Sequence, residues 1–185
     1  MSAPNSERPT HAGPDTPGGR LPTNVSALTF LPLGEAPRGT MTALLRDAYA
    51  FDPSYEAACL ATWREHDDFF SDRPELASRC GFVTMLRGEA VGFIVYDPRT
   101  LPDYVELGDN CIAARCKGRG YGHAQLAEAV GRLTEAGARE LRVWTDENLI
   151  PAQRNYESVG FRAVRRWLGD DGRWHIDYRL RVARD

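Results

Sequence analysis

Apolar and polar positions change their period several times along the chain, and each change marks an element. "VSALTFLPL" (25–33) is apolar enough for an opening strand. "RGTMTALLRDAYAF" then carries Met41, Leu44, Leu45 and Ala48 at helical spacing. "SYEAACLATWREHDDFFSD" continues helical with Ala57, Leu60 and Trp63 facing a core, until Arg73-Pro74 stops it. The period next shortens. "GFVTMLRGEAVGFIVYD" reads as two strands of a hairpin turning at Arg87-Gly88-Glu89, where glycine supplies the turn geometry. A third strand is expected over "DYVELGDNCIAA", with Gly108 marking a bulge or a close backbone approach.

A helical period returns after the glycine-rich "CKGRGYG". Leu126, Ala129, Val130 and Leu133 recur at i, i+3, i+4 and i+7, and Gly137 ends the run. "RELRVWT" alternates as a strand, and "PAQRNYESV" is a short helix ending at Gly160. "FRAVRRWL" and "RWHIDYRLRV" close the chain as strands around a turn at Gly169–Gly172. The order strand, helix, helix, three strands, helix, strand, helix, two strands predicts an α/β domain. Its sheet is mixed, because hairpins and a helical crossover both occur.

Composition narrows the class. A chain of 185 residues suits one domain, since domains usually run to ~100–150 residues. Its 42% hydrophobic and 26% charged residues are ordinary for a globular protein. Residues 1–24 are rich in proline and glycine and nearly devoid of large apolar side chains, so a disordered tail is expected there and a single domain over 25–185. That tail also lacks the apolar stretch of a secretory leader. Cys59, Cys80, Cys111 and Cys116 show no CxxC spacing, so reduced thiols, a cytoplasmic setting and no metal are expected. A formal charge of −3 argues against a broad nucleic-acid surface. No apolar run approaches the ~18 residues that a membrane-spanning helix needs.

The chemistry concentrates in two places. At "CKGRGYGHAQLAEAV" the third strand leads into a run of small residues and then a helix start, an arrangement that aims several backbone N–H groups and the helix dipole into one concavity. A phosphate or pyrophosphate is the preferred guest. Lys117 and Arg119, with Arg115 before them, offer cations around it. The alternative is a glycine turn that only permits close packing. A Walker loop is excluded because no GxxxxGK is present, and a dinucleotide loop because His123 stands where the third glycine of GxGxxG should be. The second place is "TDENLIPAQRNYESVGF". There Asn148 can cap the short helix, Pro151 suits its first turn, and Tyr156 falls two turns on. Packing for Tyr156 and capping for Asn148 is the plainer reading of this segment alone.

Together the two stretches resemble the Gcn5-related N-acetyltransferase (GNAT) family. "KGRGYG" is similar to its Q/R-x-x-G-x-G/A signature, with Lys117 in the first position, and "NLIPAQRNYESVGF" is similar to its later Asn, Ala, Tyr and Gly-Phe motif. The resemblance extends in element order from about Val25 to Val182. Ala114 stands where many members have proline, and Asn148 sits one residue further from Tyr156 than is commonest.

The resemblance implies a mixed, largely antiparallel sheet of about seven strands with flanking helices and a central splayed parallel pair, carrying Cys111 and Val143. It implies acetyl-CoA as cosubstrate. Backbone N–H groups of Lys117, Gly118, Arg119, Gly120, Tyr121, Gly122 and His123 would hold the pyrophosphate, the Ile112 backbone would meet the thioester carbonyl, and Asn148 would assist binding. Tyr156 is expected to protonate the departing thiolate, for which a phenol is suited. A protonated amine must first lose a proton, and Glu106 is the first choice of base, Asp109 the second; the alternative for Glu106 is a solvated strand residue. His123 reads better as a phosphate-edge residue than as a base. Acyl-cysteine chemistry at Cys111 or Cys116 lacks an identifiable His and acid partner. "WREHDDFF" could wall an amine site, although inward packing of Trp63 and Phe70 explains most of it.

The expected activity is therefore direct acetyl transfer to a primary amine of a small molecule. A protein or peptide acceptor, a non-catalytic acyl-CoA-binding module and a different nucleotide binder are the rivals. The resemblance is also compatible with a homodimer.

Overall fold

The structure is a computed structural model and describes residues 27–182. The tail expected over residues 1–24 lies outside them. In chain order the elements are β1 (Leu28–Pro32), α1 (Thr40–Tyr49), α2 (Pro53–Ser71), α3 (Pro74–Cys80), β2 (Gly81–Leu86), β3 (Glu89–Asp97) and β4 (Val105–Ile112). They continue with α4 (Tyr121–Glu135), β5 (Glu140–Asp146), α5 (Ile150–Ser158), β6 (Arg162–Leu168) and β7 (Trp174–Arg181). The strands form one seven-stranded sheet in the order β1-β2-β3-β4-β5-β7-β6. Every neighbouring pair is antiparallel except β4 and β5.

Two differences from the expected elements have local causes. Arg73-Pro74 does end α2, but Pro74 also starts α3, because proline's missing N–H costs nothing in a helix's first turn. On α2 the inward stripe runs Tyr55, Trp63 and Asp67, whereas Ala57 is exposed. Asp67 belongs inside because its carboxylate accepts the N–H groups of Gly39 and Thr42, each at 2.8 Å, at the start of α1. A buried acid thereby replaces the cap that Gly39 cannot supply from a side chain.

Turn chemistry sets the strand pairing elsewhere. Arg87 and Gly88 both adopt positive φ, 53° and 85°, the two-residue turn that matches the twist of a hairpin. The bulge expected at Gly108 is present. Ile94 pairs with Asn110 and Tyr96 with Leu107, so Gly108 and Asp109 together face Val95. The extra residue sends Asn110 and Cys111 to opposite faces from those that strict alternation after Leu107 would give.

Apolar residues fill both faces of the sheet. One cluster joins α1, α2 and α3 to Val83, Val91, Phe93 and Cys111, and the other joins α4 and α5 to Phe82, Ile94, Leu107, Leu141 and Tyr178. Gln125 on α4 is 2% exposed, and its amide donates to Phe93 O at 2.8 Å while accepting from Thr84 Oγ1 at 2.7 Å. Gly92 sits directly against it; a Cβ there would lie 2.6 Å from Cys111 O and from Gln125 Oε1. This polar tie therefore holds β2, β3 and the end of β4 in contact with α4.

Candidate active site

The parallel pair is the opening in the sheet. β4 and β5 pair only at Val105–Leu141 and Glu106–Arg142, although β4 continues to Ile112 and β5 to Asp146. Beyond Glu106 the strands part at their C-terminal ends, where ligands of open sheets bind. Ile112 closes β4 opposite Gly92, and Ala113 N–H donates to Val91 O at 2.8 Å, which fixes the chain as it leaves the sheet.

A single turn over Ala114–Cys116 leads into the glycine loop. Lys117 N–H donates to Ala114 O at 3.3 Å, so the row of free donors begins one residue later than expected. Among the described residues, no backbone N–H from Gly118 to His123 donates to another backbone carbonyl; the next bond is Ala124 N–H to Gly120 O at 3.0 Å. Gly118 and Gly120 have φ of 73° and 81°, a conformation that side chains disfavour and that turns successive N–H groups the same way. Tyr121 starts α4 and is buried at 1% exposure, which anchors the loop to the core. The six free donors and the N-terminus of a fifteen-residue helix suit an anionic pyrophosphate.

The basic side chains are arranged differently from the expectation. Lys117 Nζ donates to Ala48 O at the end of α1 and lies 5.1 Å from the centre of the Phe51 ring. Burial lowers its pKa. Arg115 pairs with Glu89 at 3.1 Å. Arg119 is exposed and makes no side-chain bond among the described residues, so it is the cation still available to a guest. The imidazole of His123 meets Ser158 Oγ at 2.8 Å, and Asn155 donates to Gly122 O at 3.2 Å. These two contacts clamp the start of α4 to α5. They place His123 at the edge of the loop.

Across the opening, Tyr156 on α5 is 3% exposed and packs against Phe161 and Tyr178. Asn110 Nδ2 donates to its hydroxyl oxygen at 3.1 Å. Since the phenol oxygen accepts that bond, its own proton is free for another partner. Burial raises the phenol pKa, the Asn110 bond opposes the rise, and the charge of Asp109 adds to it.

Asn148 does not cap α5. The cap position is Leu149, with no side-chain bond, and the Asn148 backbone N–H donates to Asp146 Oδ1 at 2.8 Å. Asp146 is 5% exposed and also accepts from Tyr55 OH at 2.9 Å, with the Arg173 guanidinium 3.6 Å away. That cluster ties α2 to the end of β5 and to the turn between β6 and β7. Glu106 is exposed at the last paired position before the strands part and makes no side-chain bond among the described residues. Asp109, three residues on, instead has a partner: its Oδ2 lies 3.0 Å from His66 Nδ1 on α2.

Asn110, His66 and the Asp146 cluster were not singled out from the sequence. No spacing rule marks them, because each contact joins segments far apart in the chain. Among the described residues no group of three or more His, Cys, Asp or Glu side chains is placed to hold a metal ion.

The family model for "Acetyltransferase (GNAT) family" matches residues 41–161, which span the loop, Tyr156 and most of the sheet. No curated protein matches the sequence. A candidate GNAT acetyltransferase from Desulfovibrio desulfuricans is similar in structure, with 22% identity, a TM-score of 0.67, and coverage of 85% of this chain and 99% of that one. Ard1 from Thermoplasma volcanium gives 19% identity and a TM-score of 0.64 over 85% and 99% of the two chains. A candidate streptothricin acetyltransferase from Bacillus anthracis, solved with acetyl coenzyme A, gives 19% identity and a TM-score of 0.51 over 56% and 64%. At these identities the likeness establishes the fold.

Proposed function

Because the chain belongs to the GNAT family of acetyltransferases, we propose that it transfers the acetyl group of acetyl-CoA directly to a primary amine of a small molecule. One observation carries this reading. A row of six unpaired backbone donors and a buried tyrosine hydroxyl with a free proton border the same parting of β4 and β5. The donors fit a pyrophosphate, and the tyrosine fits a leaving thiolate.

Acetyl-CoA supplies the activated acyl group. The backbone of Gly118 to His123 binds its pyrophosphate, and Arg119 adds a cation from solvent. Ile112, at the end of β4, presents backbone to the thioester carbonyl, where an aligned N–H stabilises developing negative charge. Lys117 directs its ammonium to Ala48 O and the Phe51 ring, and so braces the loop against the end of α1. Asn148 positions the start of α5 through Asp146. Tyr156 donates its proton to sulfur. Glu106 lies exposed at the last paired position before the strands separate, on the path by which an amine would enter.

Direct transfer is favoured over an acyl-cysteine route. Burial pushes the Cys111 thiol far above its ordinary range, which suppresses the thiolate that such a route requires.

Free-thiol release from acetyl-CoA, measured across small primary amines and across peptides with free N-termini, tests the acceptor class. Turnover is expected with at least one small amine. Turnover confined to peptides would overturn the small-molecule assignment.

A further inference from the structure

Resting on the acetyl-transfer reading, we infer that His66 and Asp109 form the proton acceptor for the incoming amine, with His66 taking the proton and Asp109 positioning the imidazole. The two residues are 43 apart in sequence and come from α2 and β4, yet His66 Nδ1 lies 3.0 Å from Asp109 Oδ2. The bulge in β4 is what makes this pairing coincide with the site. It places Asp109 on the α2 side, while the next residue, Asn110, holds the Tyr156 hydroxyl on the α5 side. Adjacent positions of one strand, three and two residues before Ile112, thus organise a base and an acid on opposite faces of the sheet. Both lie beyond Glu106, where β5 has already left the ladder.

The chemistry of the pair is directional. An ionised carboxylate only accepts hydrogen bonds, so the proton of the imidazole sits on Nδ1 and the Nε2 lone pair is left to act. The His66 side chain is 52% exposed, so Nε2 has access to an arriving substrate. The hydrogen bond to Asp109 raises the imidazole pKa, burial opposes it, and Glu65 adds to it. The Asp109 charge also reaches Tyr49 on α1, Cys59 on α2, Cys111 on β4 and Tyr156 on α5. Burial raises the pKa of each of these four, so they stay neutral near pH 7; at His66 itself the acting charges are Asp109, through its hydrogen bond, and Glu65. Glu106 has no such partner among the described residues.

In the transfer, His66 Nε2 takes one proton from the ammonium of the acceptor. The amine lone pair then forms the C–N bond to the thioester carbonyl carbon, and the C–S bond breaks with its electron pair kept on sulfur. Tyr156 gives its proton to that sulfur, and the second amine proton restores the phenol by way of solvent. His66 releases the first proton to solvent, so one proton is produced per acetyl group moved.

Two probe nucleophiles separate this role from a structural one. Phenylethylamine is protonated near neutral pH and needs a base, whereas hydroxylamine is already neutral there. His66→Gln should cut thiol release with phenylethylamine by roughly 10²-fold, the scale of general base catalysis, and leave the hydroxylamine rate nearly unchanged. Asp109→Asn should shift the acid limb of the phenylethylamine profile to lower pH, because the group that raises the imidazole pKa is gone. Equal losses with both probes, or an amine-selective loss in Glu106→Gln in place of His66→Gln, would overturn the inference and leave the acetyl-transfer reading intact. Absence of both acetyl-CoA binding and thiol release in the unaltered protein would overturn the reading itself.

Discussion

Tyr156→Phe is expected to lower kcat by about 10²–10³-fold while leaving acetyl-CoA affinity nearly unchanged, because general acid catalysis contributes on that scale and the lost hydroxyl acts only as the C–S bond breaks. The ring itself should remain in place, since its contacts with Phe161 and Tyr178 do not involve oxygen. The pH profile supplies a second sign. A free tyrosine ionises near pH ~10. Burial raises the pKa of this one, so its proton stays available through that range and the alkaline loss of turnover should fall above it. The same shift bears on stability. A folded pKa above the unfolded value stabilises the protein below pH ~10, and that contribution disappears as pH rises through the folded value. Steady-state kinetics of the variant beside calorimetry of acetyl-CoA binding checks the first statement. An unchanged kcat would remove Tyr156 from the acid role.

The double variant Gly118→Ala, Gly120→Ala is expected to weaken acetyl-CoA binding by about 10²-fold. Each alanine held at positive φ carries roughly 1–2 kcal/mol of strain, and every 1.4 kcal/mol is about tenfold in affinity. The free loop can relieve that strain by rotating its N–H groups out of the concavity, so binding must restore the strained conformation. Stability without ligand should change little by comparison: a Cβ on Gly118 meets nothing within 4 Å. Calorimetric titration reads the affinity, and a melting curve without ligand checks the fold. Wild-type affinity in this variant would contradict the role given to the backbone donors.

What could be read from the sequence was local. The Arg87-Gly88 turn, the bulge at Gly108, the helix face Leu126, Ala129 and Leu133, and the glycine loop each depend on residues close in the chain, and each is present. The family resemblance added the splayed strand pair, which no local period encodes. The misses have the opposite character. Asp67 sits inside because it caps a different helix, and Ala57 faces out because the buried stripe of α2 follows Tyr55 and Trp63. Asn148 holds a position that suits a cap, but Asp146, recruited by Tyr55 from 91 residues away, supplies the bond that fixes that turn. Gln125 on α4 is a buried tie among three strands, a role set by residues distant in the chain.

The same limit governed the chemistry. Tyr156 and the loop lie in recognisable motifs. Asn110 and His66 gain their importance only from what the folded chain brings beside them, at 3.1 and 3.0 Å. Lys117 shows how a motif can mislead about a side chain: its backbone leads into the expected loop, while its ammonium serves the end of α1.

Calorimetric titration of the full chain with acetyl-CoA, and separately with ATP and NAD, gives the most direct answer. Saturable binding of one acetyl-CoA per chain, with no binding of ATP or NAD, is expected, and ligand at about 100 times Kd should add about 2.7 kcal/mol to stability. Binding of ATP or NAD by a chain that leaves acetyl-CoA in solution would contradict it.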